Sequence, residues 1–187
     1  DQRLLEEILD RSKPKYPADC AGLHYLLATP FRYWPYDRGS RFRRANQPDG
    51  AYYAAERIET SVAEQAFYNL LFFAESPDAT LPKNPVERTA FRVPIRAERH
   101  IDLTQSPLDR DRAVWTHLTD YGPCQDLADA ARASDIQAIR YTSVRDPKRG
   151  ANIALLSPKA FAAKKPKSAM GWFWRLSGDD PVAHEYG

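Results

Sequence analysis

Between Phe31 and Tyr53 the chain sets five arginines, Arg32, Arg38, Arg41, Arg43 and Arg44, among seven aromatic residues, Phe31, Tyr33, Trp34, Tyr36, Phe42, Tyr52 and Tyr53. The chain has 22 aromatics in all, so nearly a third of them fall in this window of 23 residues. A guanidinium is a fixed fork of donors that matches two phosphate oxygens, and an aromatic face stacks on a flat ring. A ligand carrying both a pyrophosphate and heteroaromatic bases, a dinucleotide, engages both. The same mixture also serves single-stranded nucleic acid. Arginine beside tyrosine is equally an ordinary surface arrangement, through cation–π contact and packing of the arginine stem. On residue types alone all three readings stay open.

Bulk properties narrow them. With 27 basic and 25 acidic side chains the formal charge is +2, too even a balance for backbone-dominated nucleic-acid binding. Cys20 and Cys124 stand apart, and His24, His100, His117 and His184 show no ligand spacing, so neither a disulfide framework nor a metal site is expected. A reducing, cytoplasmic compartment follows as the simplest expectation. No 18-residue apolar run and no leader pattern is present, although the chain opens on Asp1 and a removed leader stays open. A serine-hydrolase GxSxG elbow and a Rossmann GxGxxG turn are both missing, so a dinucleotide is expected as substrate and not as a hydride carrier.

The elements that must position these residues read as a single α+β domain, a small mixed sheet flanked by helices. At 187 residues with 43% hydrophobic content the chain sustains one core without staples. Helical spacing predicts a first helix over Leu4–Arg11 and a short one over Asp19–Leu27. Pro30–Pro35 reads as extended chain, Asp37–Asp49 as loop and Ala51–Ala55 as strand. Ser61-Val62-Ala63-Glu64 has the spacing of a capping box, predicting a helix from Ser61 to Glu75. Thr89–Thr104 alternates as one strand, with Pro94 marking it as an edge. Helices are expected at Leu108–Thr119 and Cys124–Ser134, strands at Ala138–Thr142, Ile153–Leu156 and Gly171–Leu176, and a frayed last ten residues. The basic run Lys159–Lys167 reads first as a solvated face.

The ordered set of residues resembles the RES-domain family. Phe31-Arg32-Tyr33 matches the family's first arginine, and Gly39-Ser40-Arg41-Phe42 its glycine-arginine-aromatic turn. Tyr52-Tyr53 followed by Thr60-Ser61-Val62-Ala63-Glu64 matches its tyrosine strand and Ala-Glu helix, and Tyr141-Thr142-Ser143 the strand end that carries its serine. The resemblance spans about Tyr25 to Leu156. It implies an ADP-ribosyltransferase-like fold with a core over 25–176, a helical extension over 1–24 and a tail over 177–187. It also implies the toxin half of a toxin–antitoxin pair that cleaves NAD+, with inorganic phosphate or water as acceptor and no resident cofactor. A partner antitoxin with an Xre-like helix-turn-helix domain is implied too, without direct DNA binding or membrane association by this chain. Mono-ADP-ribosylation of a protein on the same fold, and a non-enzymatic nucleic-acid module, are the alternatives.

Carried onto this chain, the resemblance makes Arg32, Glu64 and Ser143 the catalytic candidates and Tyr33, Arg41, Arg43 and Tyr53 the substrate-binding ones. Departure of nicotinamide leaves an oxocarbenium-like ribosyl cation, which a carboxylate stabilises; Glu64 is the candidate. Arg32 would grip the pyrophosphate or orient the phosphate, with Arg41 or Arg43 as a second clamp. Tyr33 and Tyr53 would stack on nicotinamide or bond ribose, and Ser143 would bond the amide or ribose. Each has a plainer role to weigh against these. Glu64 is the third residue of the capping box, Arg32 a surface partner of Asp37, and Ser143 an ordinary strand-end serine.

Overall fold

The computed structural model describes residues 14–32, 37–76, 78–175 and 182–185. The helix expected over Leu4–Arg11 and the candidate Tyr33 lie outside them. The fold is mixed α/β and built on two sheets. The first has the strand order β1-β5-β4-β3, formed by Tyr52–Ala55 (β1), His100–Asp102 (β3), Ala138–Thr142 (β4) and Ala151–Leu155 (β5). β1, β5 and β4 are antiparallel neighbours, and β3 runs parallel to β4. The second sheet is wholly antiparallel, order β2-β6-β7, from Val86–Arg92 (β2), Ser168–Arg175 (β6) and Val182–Glu185 (β7).

Because strand side chains alternate, register decides which residues share a face. Tyr52, Leu155 and Ala138 stand in one cross-strand row, and pack against Leu27, Ala28, Phe31 and Ala160. On the opposite face stand the rows Tyr53–Ala154–Ile139 and Ala55–Asn152–Tyr141. The β4 half of that face is covered by the helix Gly122–Ala133, whose Cys124, Ala128 and Ala131 pack on Ile139, Tyr141 and Phe42. The β1 half faces the 18-residue helix Ile58–Glu75. With the one-turn helices Tyr25–Ala28 and Arg112–Trp115, the helices are α1 (25–28), α2 (58–75), α3 (112–115) and α4 (122–133).

The arginine-rich segment is a loop, as expected, and it is anchored on α4. Gln125 Nε2 donates to the carbonyls of Ser40 and Arg43, and Arg132 to those of Phe42 and Gly50. Arg44 pairs with Asp126 and with Asp129, the latter at 2.6 Å. At Gly50 the backbone crosses so close to Pro30 that a Cβ would stand 2.1 Å from its carbonyl oxygen, so only glycine fits.

Several elements differ from the expectation: the helix expected over Leu108–Thr119 is a 3-10 turn, Leu108–Asp111, followed by the one-turn α3, and Pro30 and Phe31, expected as extended chain, close the 3-10 turn Thr29–Phe31. α2 begins at Ile58, three residues before Ser61, with Arg57 in extended conformation and no side-chain cap. Ser61 therefore donates its N–H to Arg57 as an interior residue, and no capping box forms. The strand expected over Thr89–Thr104 is split: β2 ends at Arg92, Pro94 interrupts, and the chain crosses to the first sheet as β3. The helix over Asp19–Leu27 is broken by Gly22 at φ +75° into a 3-10 turn, Ala18–Cys20, and α1. Beyond Arg175 the chain does not simply fray, because Val182–Glu185 pairs with β6.

Candidate active site

One helical face of α2, bearing Ser61, Glu64, Gln65, Tyr68 and Leu71, looks across at the row Ala55–Asn152–Tyr141. The opposite face of α2, with Val62, Ala66, Leu70 and Phe73, packs on Leu81 and on Trp172 of β6. The helix is thus clamped from behind by the second sheet while its polar face opens on the first. Between α2, the sheet, the loop 38–41 and the turn 118–121 lies a cleft of about 700 Å³. That is within the range of roughly 300–1,000 Å³ usual for ligand sites.

Glu64 stands at its centre. Its Oε1 accepts from Ser143 Oγ at 2.6 Å and from Asn152 Nδ2 at 2.6 Å. Among the described residues no donor reaches Oε2. Ser143, only 1% exposed, also accepts the N–H groups of Arg145 (3.2 Å) and Asp146 (3.0 Å), so its hydroxyl is fully engaged within the protein. The turn after it is built around Asp146, which accepts from Thr60 Oγ1 (2.7 Å) and from the N–H groups of Lys148 and Gly150. Burial pushes the Asp146 carboxyl up, but these bonds outweigh it and hold the group below its ordinary value.

The cations of the cleft are Arg38, Arg41 and Arg145. Arg41 is buried, with a guanidinium that donates to the carbonyls of Trp115 (2.8 Å) and His117 (2.9 Å) and lies 4.6 Å from the Tyr121 ring centre. Among the described residues it makes no ion pair, so its charge acts on the cleft without a carboxylate to cancel it. Arg145 lies 3.5 Å over the Phe67 ring and donates to the carbonyl of Leu118 at 3.1 Å. Arg38 pairs with Glu75 at the end of α2.

Four tyrosines complete the lining: Tyr53, Tyr68, Tyr121 and Tyr141. Burial raises the Tyr53 phenol despite its bonds to Ser40 and Phe42, and raises that of Tyr141 well above its ordinary value. Tyr68 is pushed up to about 12, by burial first and then by the nearby Tyr121 and Glu64. The phenols of Tyr53, Tyr68 and Tyr141 therefore keep their protons throughout the neutral range and can serve as donors.

The structure brings together Glu64 and Ser143, 79 residues apart, and sets Arg41 and Tyr53 on the same cleft. Tyr53 shares a 2.8 Å hydrogen bond with Ser40 Oγ and accepts from Phe42 N–H at 3.0 Å, so it holds the loop as well as facing the cavity. Arg32 and Arg43 are not among the lining residues. Arg32 bridges Asp49 through its backbone and lies 4.1 Å above the Tyr16 ring, while Arg43 donates to the Gln47 carbonyl. Asn152, Tyr68, Tyr121 and Arg145 belong to the site and were not singled out from sequence. Signals existed for two of them: Tyr68 is four residues after Glu64 on the same helical face, and Asn152 is a polar residue beside the apolar run Ile153–Leu155.

Among the described residues no group of histidine, cysteine and acidic side chains is arranged to hold a metal ion, and no helix is long and apolar enough to cross a membrane. The family model described as RES domain matches residues 16–175, a span that contains every residue of the cleft. The comparison with curated proteins returned no match.

Proposed function

The chain belongs to the RES-domain family, and from that premise we propose that it consumes NAD+ by breaking the bond between nicotinamide and ribose. The observation that carries this reading is Glu64, a carboxylate held by two donors on one oxygen, with no donor on the other among the described residues, in a cleft whose lining includes three arginines and four tyrosines.

The bond broken is the N-glycosidic one. Its electron pair passes to the pyridinium nitrogen, so nicotinamide departs neutral and the ribose carbon becomes an oxocarbenium-like centre. Glu64 supplies the opposing charge, an effect worth several kcal/mol when water is excluded. Phosphate or water then forms the new bond to that carbon; water surrenders a proton to solvent. Arg41 and Arg145 favour the pyrophosphate and an incoming phosphate, and the tyrosines bind the rings and ribose hydroxyls. Ser143 acts through Glu64 as a positioning residue. Arg32, Tyr33 and Arg43 enter the proposal on the family pattern alone. NAD+ is substrate throughout, and no resident cofactor takes part.

The biological role that accompanies this chemistry is that of a toxin held silent by an Xre-like antitoxin in the cytoplasm. Full-length protein, freed of any partner and incubated with NAD+, is expected to release nicotinamide. Comparing turnover with and without inorganic phosphate separates phosphorolysis from hydrolysis. Folded protein that releases none under either condition overturns the proposal.

A further inference from the structure

Asn152 occupies a position that favours an apolar residue. It sits within β5, hydrogen-bonded on both sides by β1 and β4, between Ala55 and Tyr141, and is 2% exposed. Asparagine is depleted in strands, and Ile153, Ala154 and Leu155 beside it are apolar. Among the described residues its amide has one polar contact, Nδ2 to Glu64 Oε1 at 2.6 Å, and its buried Oδ1 has no hydrogen-bond partner. Turning the amide over would aim Oδ1 at a carboxylate oxygen, so the observed orientation is imposed by Glu64. A buried acceptor left unsatisfied lowers stability.

What the residue supplies is geometry. Ser143, at the end of β4, and Asn152, in β5, approach Oε1 from two elements, which fixes both the torsion of the Glu64 side chain and the roll of its carboxylate. Oε2 is left as the oxygen for a ligand. We infer that Asn152 is a positioning residue for Glu64, kept at the expense of stability; as a statement about turnover this rests on the NAD+ reading above.

Two substitutions and one spectroscopic measurement on the full chain test it. Asn152→Leu is expected to unfold at the same temperature as wild type or higher, while kcat for nicotinamide release falls at least tenfold and KM stays within threefold. A kcat within twofold of wild type overturns the inference, as does a lowered unfolding temperature, which would make Asn152 a structural residue. Asn152→Asp sets two carboxylates where the amide bond stood, among the Tyr68 and Tyr141 phenols and the Arg41 guanidinium. Such a pair shares a proton, so the acid limb of the rate profile should move up by one pH unit or more, with activity recovering above it; an unmoved limb counts against the inference. The side-chain amide resonance of Asn152 is read without NAD+ and should shift between wild type and Glu64→Gln. An unchanged resonance denies the contact itself. If wild type releases no nicotinamide, the reaction reading fails, and the unfolding temperature and resonance still decide the role of Asn152.

Discussion

Thr60 Oγ1 donates a 2.7 Å buried hydrogen bond to Asp146 Oδ2, joining the first turn of α2 to the turn that connects β4 and β5. Both halves of the Glu64 constellation hang on this joint. α2 carries Glu64 four residues after Thr60, and the turn carries Ser143 and leads into Asn152. Gly150 closes the joint, because a Cβ there would stand 2.0 Å from Thr60 Oγ1 and 2.7 Å from Asp146 Oδ2. Gly150→Ala should therefore destabilise the protein by about 1–3 kcal/mol through overpacking, read as a lowered urea midpoint. Adding Thr60→Ala removes the nearest atom of the clash, so the double variant should be more stable than the two single losses added together. Simple additivity would mean that the two residues do not meet.

Glu64→Gln should keep the fold, since a glutamine carbonyl still accepts from Ser143, yet lower kcat by about a hundredfold or more through loss of the negative charge. Ser143→Ala should cost less, on the order of tenfold in kcat, because Asn152 still holds Oε1. Steady-state nicotinamide release from both variants checks this order. A Ser143→Ala enzyme as slow as Glu64→Gln would mean that the serine hydroxyl itself touches substrate.

How far the site was legible follows from which of its contacts are local. β4 and α4 show in their own alternation and spacing, and Glu64 falls on an evident helical face. The capping box at Ser61 was misleading because a contact 86 residues away, Thr60 to Asp146, adds a turn that no local signal marks. The same loss of reach explains the arginines. Arg44 looks like a phosphate ligand in sequence, and only the fold shows it paired to Asp126 and Asp129 of α4. Arg145, which does face the cleft, lies in an unremarkable turn, and Asn152 gains its meaning from Glu64, 88 residues earlier.

Arg145 and Arg41 should separate in their effects. Arg145 is half-buried and makes one carbonyl bond, so Arg145→Met should leave the unfolding temperature nearly unchanged and raise the KM for NAD+. A lost charged hydrogen bond of about 1.5–3 kcal/mol corresponds to roughly ten- to hundredfold. Arg41→Lys should instead destabilise, by about 1–3 kcal/mol, because one ammonium cannot reproduce the fork that spans the Trp115 and His117 carbonyls. Arg43→Met sets the family pattern against the geometry: its guanidinium lies outside the cleft, so the KM should stay within a factor of two or so of wild type, which would take Arg43 out of the substrate-binding set. A KM that rises for Arg43→Met and not for Arg145→Met would move the phosphate grip away from this cleft.

Alkaline pH should weaken the fold through Tyr52. Its ring packs edge-on to Phe161 at 5.0 Å between centroids, on the face of the sheet away from the cleft, and burial pushes its phenol up to about 12. In the unfolded chain a tyrosine loses its proton near pH 10. Between those two values the unfolded state binds fewer protons than the folded one, so stability falls as pH rises through this window and is fully present below it. The contribution at stake is up to about 2 kcal/mol. Urea midpoints at pH 9 and pH 11.5 should therefore drop further for wild type than for Tyr52→Phe, which has no proton to lose. The other raised phenols, Tyr53, Tyr68 and Tyr141, leave a residual drop in the variant. Identical drops in the two proteins would show that Tyr52 ionises as readily folded as unfolded, and hence that its hydroxyl reaches water.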